Sequence, residues 1–394
     1  MTTIHKSLYC LLPMTCKLTK GLSNPCTICL FVPMLIYHLW VYIYLGHLAG
    51  GTSFYTGCMY AFNYAGTSVA YWIICRQSQA TYINEIMSII WHDKDWNDKE
   101  GSHYQLLNYN LGILSLYKKA YNSFKRYCIC WERLLKILFA IWFTITFINI
   151  ILTILHDTNT IISYESFDDK PLGLWGYYNL SGQIIAALSI LTCSSIMMTG
   201  FYQLKCMTTG FAYKLREYRD STICSEEIPT LTHTLRREYL SIQASYLAYS
   251  DLWSVPILVS LTFCTQVAIA SIFVIHYSVQ ECVVHGDCES IIIFPFIWLF
   301  AAFAIMGIIL KSIANVNEVT SLIKDVFIYT NGAIENISND YTSIGGRSVW
   351  LSYLEYNPLS LSICGTVITT KLVVNTGYTI GVAIGSFLAS NIFG

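Results

Sequence analysis

The cysteines are the residues of this chain most able to do chemistry, and two of their spacings invite a specific reading. Cys26-Thr-Ile-Cys29 and Cys128-Ile-Cys130 have the short separation of a metal-ligand or dithiol pair, yet neither has a second pair or a histidine cluster at zinc spacing. Both read as membrane-interface cysteines. Cys282 and Cys288 stand apart: a bridge across five residues would staple one short loop, with two free thiols as the alternative. Catalytic groups are missing in recognisable form. The chain has no Gly-rich phosphate loop, no His-Glu-x-x-His and no nucleophile elbow, so no enzymatic activity, metal or cofactor is expected. Its net charge of -1 leaves no polybasic footprint for nucleic acid.

The sharpest spacing belongs to residues with almost no side chain. Gly377, Gly381, Gly385 and Ala389 recur every four residues, so one flank of a helix over 372–391 is nearly bare. Such a flank lets helix backbones approach closely. Two arrangements use it: packing on a neighbouring span of the same chain, or convergence of several copies on one axis to enclose a pore. In the second, Tyr378, Ile380, Ile384 and Phe387 on the adjoining faces form an apolar constriction that gates by dewetting.

The elements that position these residues are membrane spans. The chain is 54% hydrophobic and 12% charged, against roughly 25% charged in soluble domains. Seven apolar stretches, 26–46, 53–75, 137–155, 180–201, 252–275, 290–310 and 372–391, are each long enough to cross ~30 Å of hydrocarbon. Of the 23 Lys and Arg, all but Lys170 fall in four segments, 1–25, 76–136, 202–251 and 311–371, separated by nearly base-free stretches. Basic loops stay cytoplasmic. The expected fold is therefore an all-α membrane protein of seven transmembrane helices, with the amino terminus cytoplasmic and the carboxyl terminus extracellular. Residues 1–25 form a cytoplasmic tail, and 26–310 carry helices one to six with long cytoplasmic helical loops at 76–136 and 202–251. Residues 311–371 form a cytoplasmic loop with an anchor helix, and 372–394 hold the last transmembrane helix. Within 230–250, Leu231, Leu235, Tyr239 and Ile242 recur at three- and four-residue intervals while Arg236, Arg237 and Glu238 face elsewhere. That spacing predicts an amphipathic helix that carries a span on into the cytoplasm.

On this topology the outward halves of spans two to six hold Tyr55, Tyr60, Phe147, Tyr177, Tyr178, Gln183, Gln266, Phe273, Tyr277, Phe294 and Phe296. An apolar, aromatic pocket with a few polar groups suits a small organic ligand. Interhelical hydrogen bonding is the alternative for the uncharged polar groups Asn149, Gln183, Gln266 and Asn375.

The last span reads Thr379-Ile380-Gly-Val-Ala-Ile-Gly-Ser386-Phe387, and Pro358-Leu359 and Cys364-Gly365 precede it. With the seven-span architecture and short outer loops, this resembles the insect chemoreceptor superfamily, the gustatory receptors in particular, whose last span commonly carries Thr-Tyr, five apolar residues and Gln-Phe. Thr379 and Phe387 match that pattern, while Ile380 and Ser386 depart from it. The resemblance spans the chain in architecture and residues 358–387 in motif. It implies a plasma-membrane chemosensory receptor of gustatory type, acting as a ligand-gated, non-selective cation channel. Its partners would be membrane lipid, a small organic tastant in the outward-facing pocket, and related receptor subunits in a homo- or heterotetramer. Gly377, Thr379, Ile380, Gly381, Ile384, Gly385, Ser386 and Phe387 would form the pore and gate, and the segment near 350–366 the cytoplasmic anchor helix. Two other membrane classes fit less of the sequence. A G-protein-coupled receptor needs the opposite orientation and an acidic-Arg-aromatic triplet after its third span, where this chain has His156-Asp157. A small-solute transporter would show an inverted repeat.

Overall fold

A computed structural model describes residues 110–155, 196–217, 228–285, 293–334 and most of 352–392, with Cys26, Cys29 and Ile36 as isolated positions. The described elements are almost wholly helical. A short helix α1 (110–115) leads into α2 (Lys118–Leu155), then come α3 (196–217), α4 (Ile228–His285) and α5 (Ile293–Ile334). A two-stranded antiparallel hairpin, β1 (Ser362–Ile363) and β2 (Thr366–Val367), precedes α6 (Thr370–Ile392).

Among the described residues, two segments are long and apolar enough to cross a membrane: Thr234–His276 within α4 and Leu299–Ile323 within α5, with mean hydropathies of 2.2 and 2.0. Only 39% and 33% of the residues in their apolar windows are buried. Leu258, Ile269, Phe300 and Ile308 point outward, where water is a poor solvent for them. A membrane is the environment that suits such helices. Both also outrun it: 58 residues of α4 and 42 of α5 make rods of about 87 and 63 Å at ~1.5 Å per residue, against ~30 Å of hydrocarbon. The third, fifth and seventh apolar stretches of the sequence fall inside α2, α4 and α6, and 293–310 of the sixth falls inside α5. Of the fourth only 196–201 is described, and the first two lie outside the described residues apart from the three isolated positions.

The main core takes in the first part of the apolar segment of α4 and the last part of that of α5. Leu235, Tyr239, Ile242, Tyr246, Tyr249 and Trp253 recur at intervals of four and three along α4, and all are buried. That is one helix face. It meets Phe201, Leu204, Met207 and Phe211 of α3, Phe124 and Cys128 of α2, and Ile309, Ile313 and Val316 of α5 in one continuous cluster. Arg236 and Arg237 are exposed, as the spacing predicts. Glycine sets how close α3 can come: a Cβ at Gly200 would run into the Tyr249 ring, and one at Gly210 would sit 2.6 Å from the ring of Tyr117. The Tyr249 hydroxyl donates to the Met197 carbonyl at 2.7 Å, so the contact at Gly200 is hydrogen-bonded as well as close. A second, smaller cluster joins Cys264, Val267, Ala268 and Ala270 of α4 to Ala302 of α5.

One expected element is different. The resemblance implies a helix near 350–366, but among the described residues there only Ser352, Tyr353 and Tyr356 are helical, and from Pro358 the chain runs without helix into the hairpin. Pro358 disfavours helix at the residue before it and has no N–H to donate. Past it, β-branched Ile363, Thr366, Val367 and Ile368 favour strand, and Gly365 turns the chain at a φ of 79°.

Candidate functional site

The hairpin is the seat from which the last helix rises. Asn317 of α5, 8% exposed, supplies its central attachment. The Asn317 Nδ2 donates to the carbonyls of Leu361 and Ile368, both at 2.9 Å, and its Oδ1 accepts the Leu361 N–H at 2.7 Å. Both amide hydrogens and the amide oxygen are thus used, and the hairpin is held at its open end, away from the turn. Ser250 of α4 donates to the Ser362 carbonyl at 3.4 Å, and the Tyr353 hydroxyl donates to Gln243 Oε1 at 2.7 Å. Leu359, Leu361, Ile363 and Ile368 are buried in the main core beneath. A cleft of about 10 Å³, about the space of one water, lies between Trp253, Ile313 and Leu361.

Thr369 then starts the helix. Its Oγ1 accepts the Leu372 N–H at 3.2 Å and its carbonyl accepts the Val373 N–H at 3.0 Å, which is an N-cap. The Lys311 ammonium of α5 donates to Thr370 Oγ1 at 3.0 Å. Val373 packs on the core, and after it the helix leaves the body. Val374 is 61% exposed, Tyr378 75% and Val382 50%. Gly377, Gly381 and Gly385 meet nothing within 4 Å of where a Cβ would stand. Thr379, Ile380 and Ser386 are exposed too, with the Thr379 hydroxyl donating to the Asn375 carbonyl one turn back. Ile384 and Phe387 lie on the same helix, but their side chains are outside the description. A close-packing flank with nothing of its own chain against it, among the described residues, is available to another molecule.

The proposed ligand residues are only partly described. Gln266 and Phe273 are seven residues apart on one outward face of α4, and Phe296 is exposed near the start of α5. Phe147, Tyr277 and Phe294 are placed on α2, α4 and α5 without described side chains, while Tyr55, Tyr60, Tyr177, Tyr178 and Gln183 lie outside the described residues. Cys288 does as well, and Cys282 is placed near the end of α4 with its side chain undescribed.

Elsewhere in the core a charged cluster ties α3 and α4 to the turn between α1 and α2. The Tyr117 hydroxyl donates to Glu238 Oε2 at 2.9 Å, and the Lys214 ammonium pairs with Glu238 Oε1. Cys128 and Cys206 face one another between α2 and α3 beside the stacked rings of Tyr127 and Tyr202. Burial chiefly pushes each thiol up to about 12, with the neighbouring Cys206 contributing part of the rise at Cys128. They are protonated and inert near neutral pH.

Asn317 is the residue that sequence reading missed. It stands outside the apolar stretches, in a segment read as loop, and its signal was an amide one turn from Ile313 and Ala314 on a helix face. No family model and no curated protein matches the chain.

Proposed function

We propose that the chain is a chemosensory receptor of gustatory type: a plasma-membrane, ligand-gated, non-selective cation channel in which the last helix of each of four subunits lines the pore. The observation that carries this reading is the exposure of α6. Its small-residue flank, Gly377, Gly381 and Gly385, stands open among the described residues, although every other described helix has a packed face. Small residues at four-residue spacing favour close approach of helices in lipid, and a helix of 23 residues spans about 35 Å at ~1.5 Å each, enough to cross. Four such helices around an axis would leave Ile380 and Ile384 to narrow the conduit, a constriction that excludes ions while dry.

Gating in this scheme follows from differential affinity. A small organic tastant in the outward pocket between spans two and six opens the channel only by binding the open arrangement of α6 more tightly than the closed one. The seven-span topology, with the amino terminus inside, rests on the distribution of Lys and Arg in the sequence.

The test is expression of the chain alone and with related receptor subunits, followed by voltage clamp during a panel of small organic tastants. A tastant-evoked cation current is expected, and Gly381→Leu with Gly385→Leu should abolish it at matched surface level. Silence of all combinations despite surface delivery, or a current indifferent to both substitutions, contradicts the reading.

A further inference from the structure

We infer that Asn317 is the positioning residue that fixes the last helix to α5 and, on the channel reading given above, passes movements of α5 to the pore. α5 is one continuous rod that runs from its exposed, apolar beginning at Phe296 through the buried stretch that carries Asn317 and on to Ile334. A displacement at one end is delivered to the other, because a helix transmits motion as a body. At the receiving end the side chain does not merely fill space. It holds the carbonyl of Leu361 before the hairpin and that of Ile368 after it, and it takes the Leu361 N–H.

Ile368 immediately precedes Thr369, whose hydroxyl and carbonyl receive the first N–H groups of α6. From α5 to the base of α6 there is therefore one side chain, one peptide and a cap. Lys311, two turns earlier on α5, bonds Thr370 and prevents rotation about that single point. The described side chains from Val374 to Ala383 are exposed, so the tilt of this part of α6 is set at its base.

The chemistry is specific to an amide. Aspartate has the same shape but presents two oxygens: one still accepts the Leu361 N–H, while the other opposes two carbonyl oxygens. Leucine fills the site and bonds nothing. A space-filling role would tolerate aspartate, whereas a clamp would not.

Hydrogen exchange of the full chain in lipid nanodiscs, by mass spectrometry, separates these. In Asn317→Leu, peptides over 359–363 and over 368–375 should exchange about tenfold faster, with α3 and the middle of α4 unchanged. In Asn317→Asp the 368–375 peptide should loosen likewise while the Leu361 amide keeps its protection. Ser245→Ala removes a buried hydroxyl that donates within α4 at 3.0 Å, and it should leave both hairpin peptides as in the wild type. Unaltered exchange at 368–375 in folded Asn317→Leu and Asn317→Asp overturns the assignment. So does loosening in Ser245→Ala equal to that in Asn317→Leu. Unstimulated whole-cell current is recorded in parallel at matched surface level, where loss of the clamp should change it about threefold by shifting the balance of open and closed states. An unchanged current in a chain that does conduct overturns the relay. A wild-type chain that conducts nothing, with exchange as stated, overturns the channel reading and leaves the clamp standing.

Discussion

Gly365 turns the hairpin with a φ of 79°, a conformation that costs a residue with a Cβ roughly 1–2 kcal/mol. Gly365→Ala meets no steric obstacle there, so its effect should be that backbone cost alone, read as a lower thermal midpoint of the purified protein. The buried thiols carry a pH dependence of definite sign. Cys128 and Cys206 stay protonated up to about 12 when folded, whereas an unfolded thiol ionises near its ordinary value of about 8.5–9. Their contribution is complete below that value and is lost as pH rises through the interval between the two, by about 1.4 kcal/mol per pH unit for each thiol. Thermal unfolding between about pH 8 and pH 10.5 should fall more steeply for the wild type than for a Cys128→Ala, Cys206→Ala double variant. Maleimide at neutral pH should label exposed Cys130 and spare both buried thiols. At this scale the sequence shows which residues are small, apolar or ionisable. It does not show which of fifteen cysteines are enclosed, because enclosure depends on how α2 and α3 pack together, with Tyr127 stacked on Tyr202.

Helix faces were more legible than helix ends. The α4 stripe of Leu235, Tyr239 and Ile242 is visible in the spacing because a buried face imposes its period on the chain. The anchor helix expected over 350–366 was not, since the apolar residues there fit strand as well as helix, and Pro358 and Gly365 decide between them. Contacts between elements are where substitution should hurt. Gly210→Ala drives a methyl group toward the Tyr117 ring and should cost about 1–3 kcal/mol of stability, measured by denaturant or thermal unfolding in detergent. Glu238→Ala leaves the Lys214 ammonium and the Tyr117 hydroxyl without their shared acceptor, for a loss of about 1–3 kcal/mol. Gly307→Ala, where open space receives the methyl group, should be nearly neutral or slightly stabilising on the same measure.

Across the whole molecule, two length scales compete. α4 and α5 are apolar and exposed over one part and packed in the main core over another, so a single rod serves both lipid and a helical platform. The last helix belongs to neither. It is bound at its base by Asn317, Lys311 and the Thr369 cap, and it presents Gly377, Gly381 and Gly385 to open space. The glycine spacing was readable from the sequence, but whether it packed within the chain or awaited another copy was not, because spacing names a flank and not its occupant. Membrane orientation is tested by tags at each end in intact cells: antibody should reach a carboxyl-terminal tag and fail to reach an amino-terminal one until the membrane is opened.

The central claim is that α6 lines a pore, and a cysteine scan along it measures this most directly. Single cysteines replace successive residues from Val374 to Ala389 in the full chain, and a charged, membrane-impermeant thiol reagent is applied during voltage clamp. The account predicts that modification alters the current at positions repeating every three or four residues on one face of α6. Current altered at no position of α6 in a conducting, surface-delivered chain would place the pore elsewhere and contradict the account.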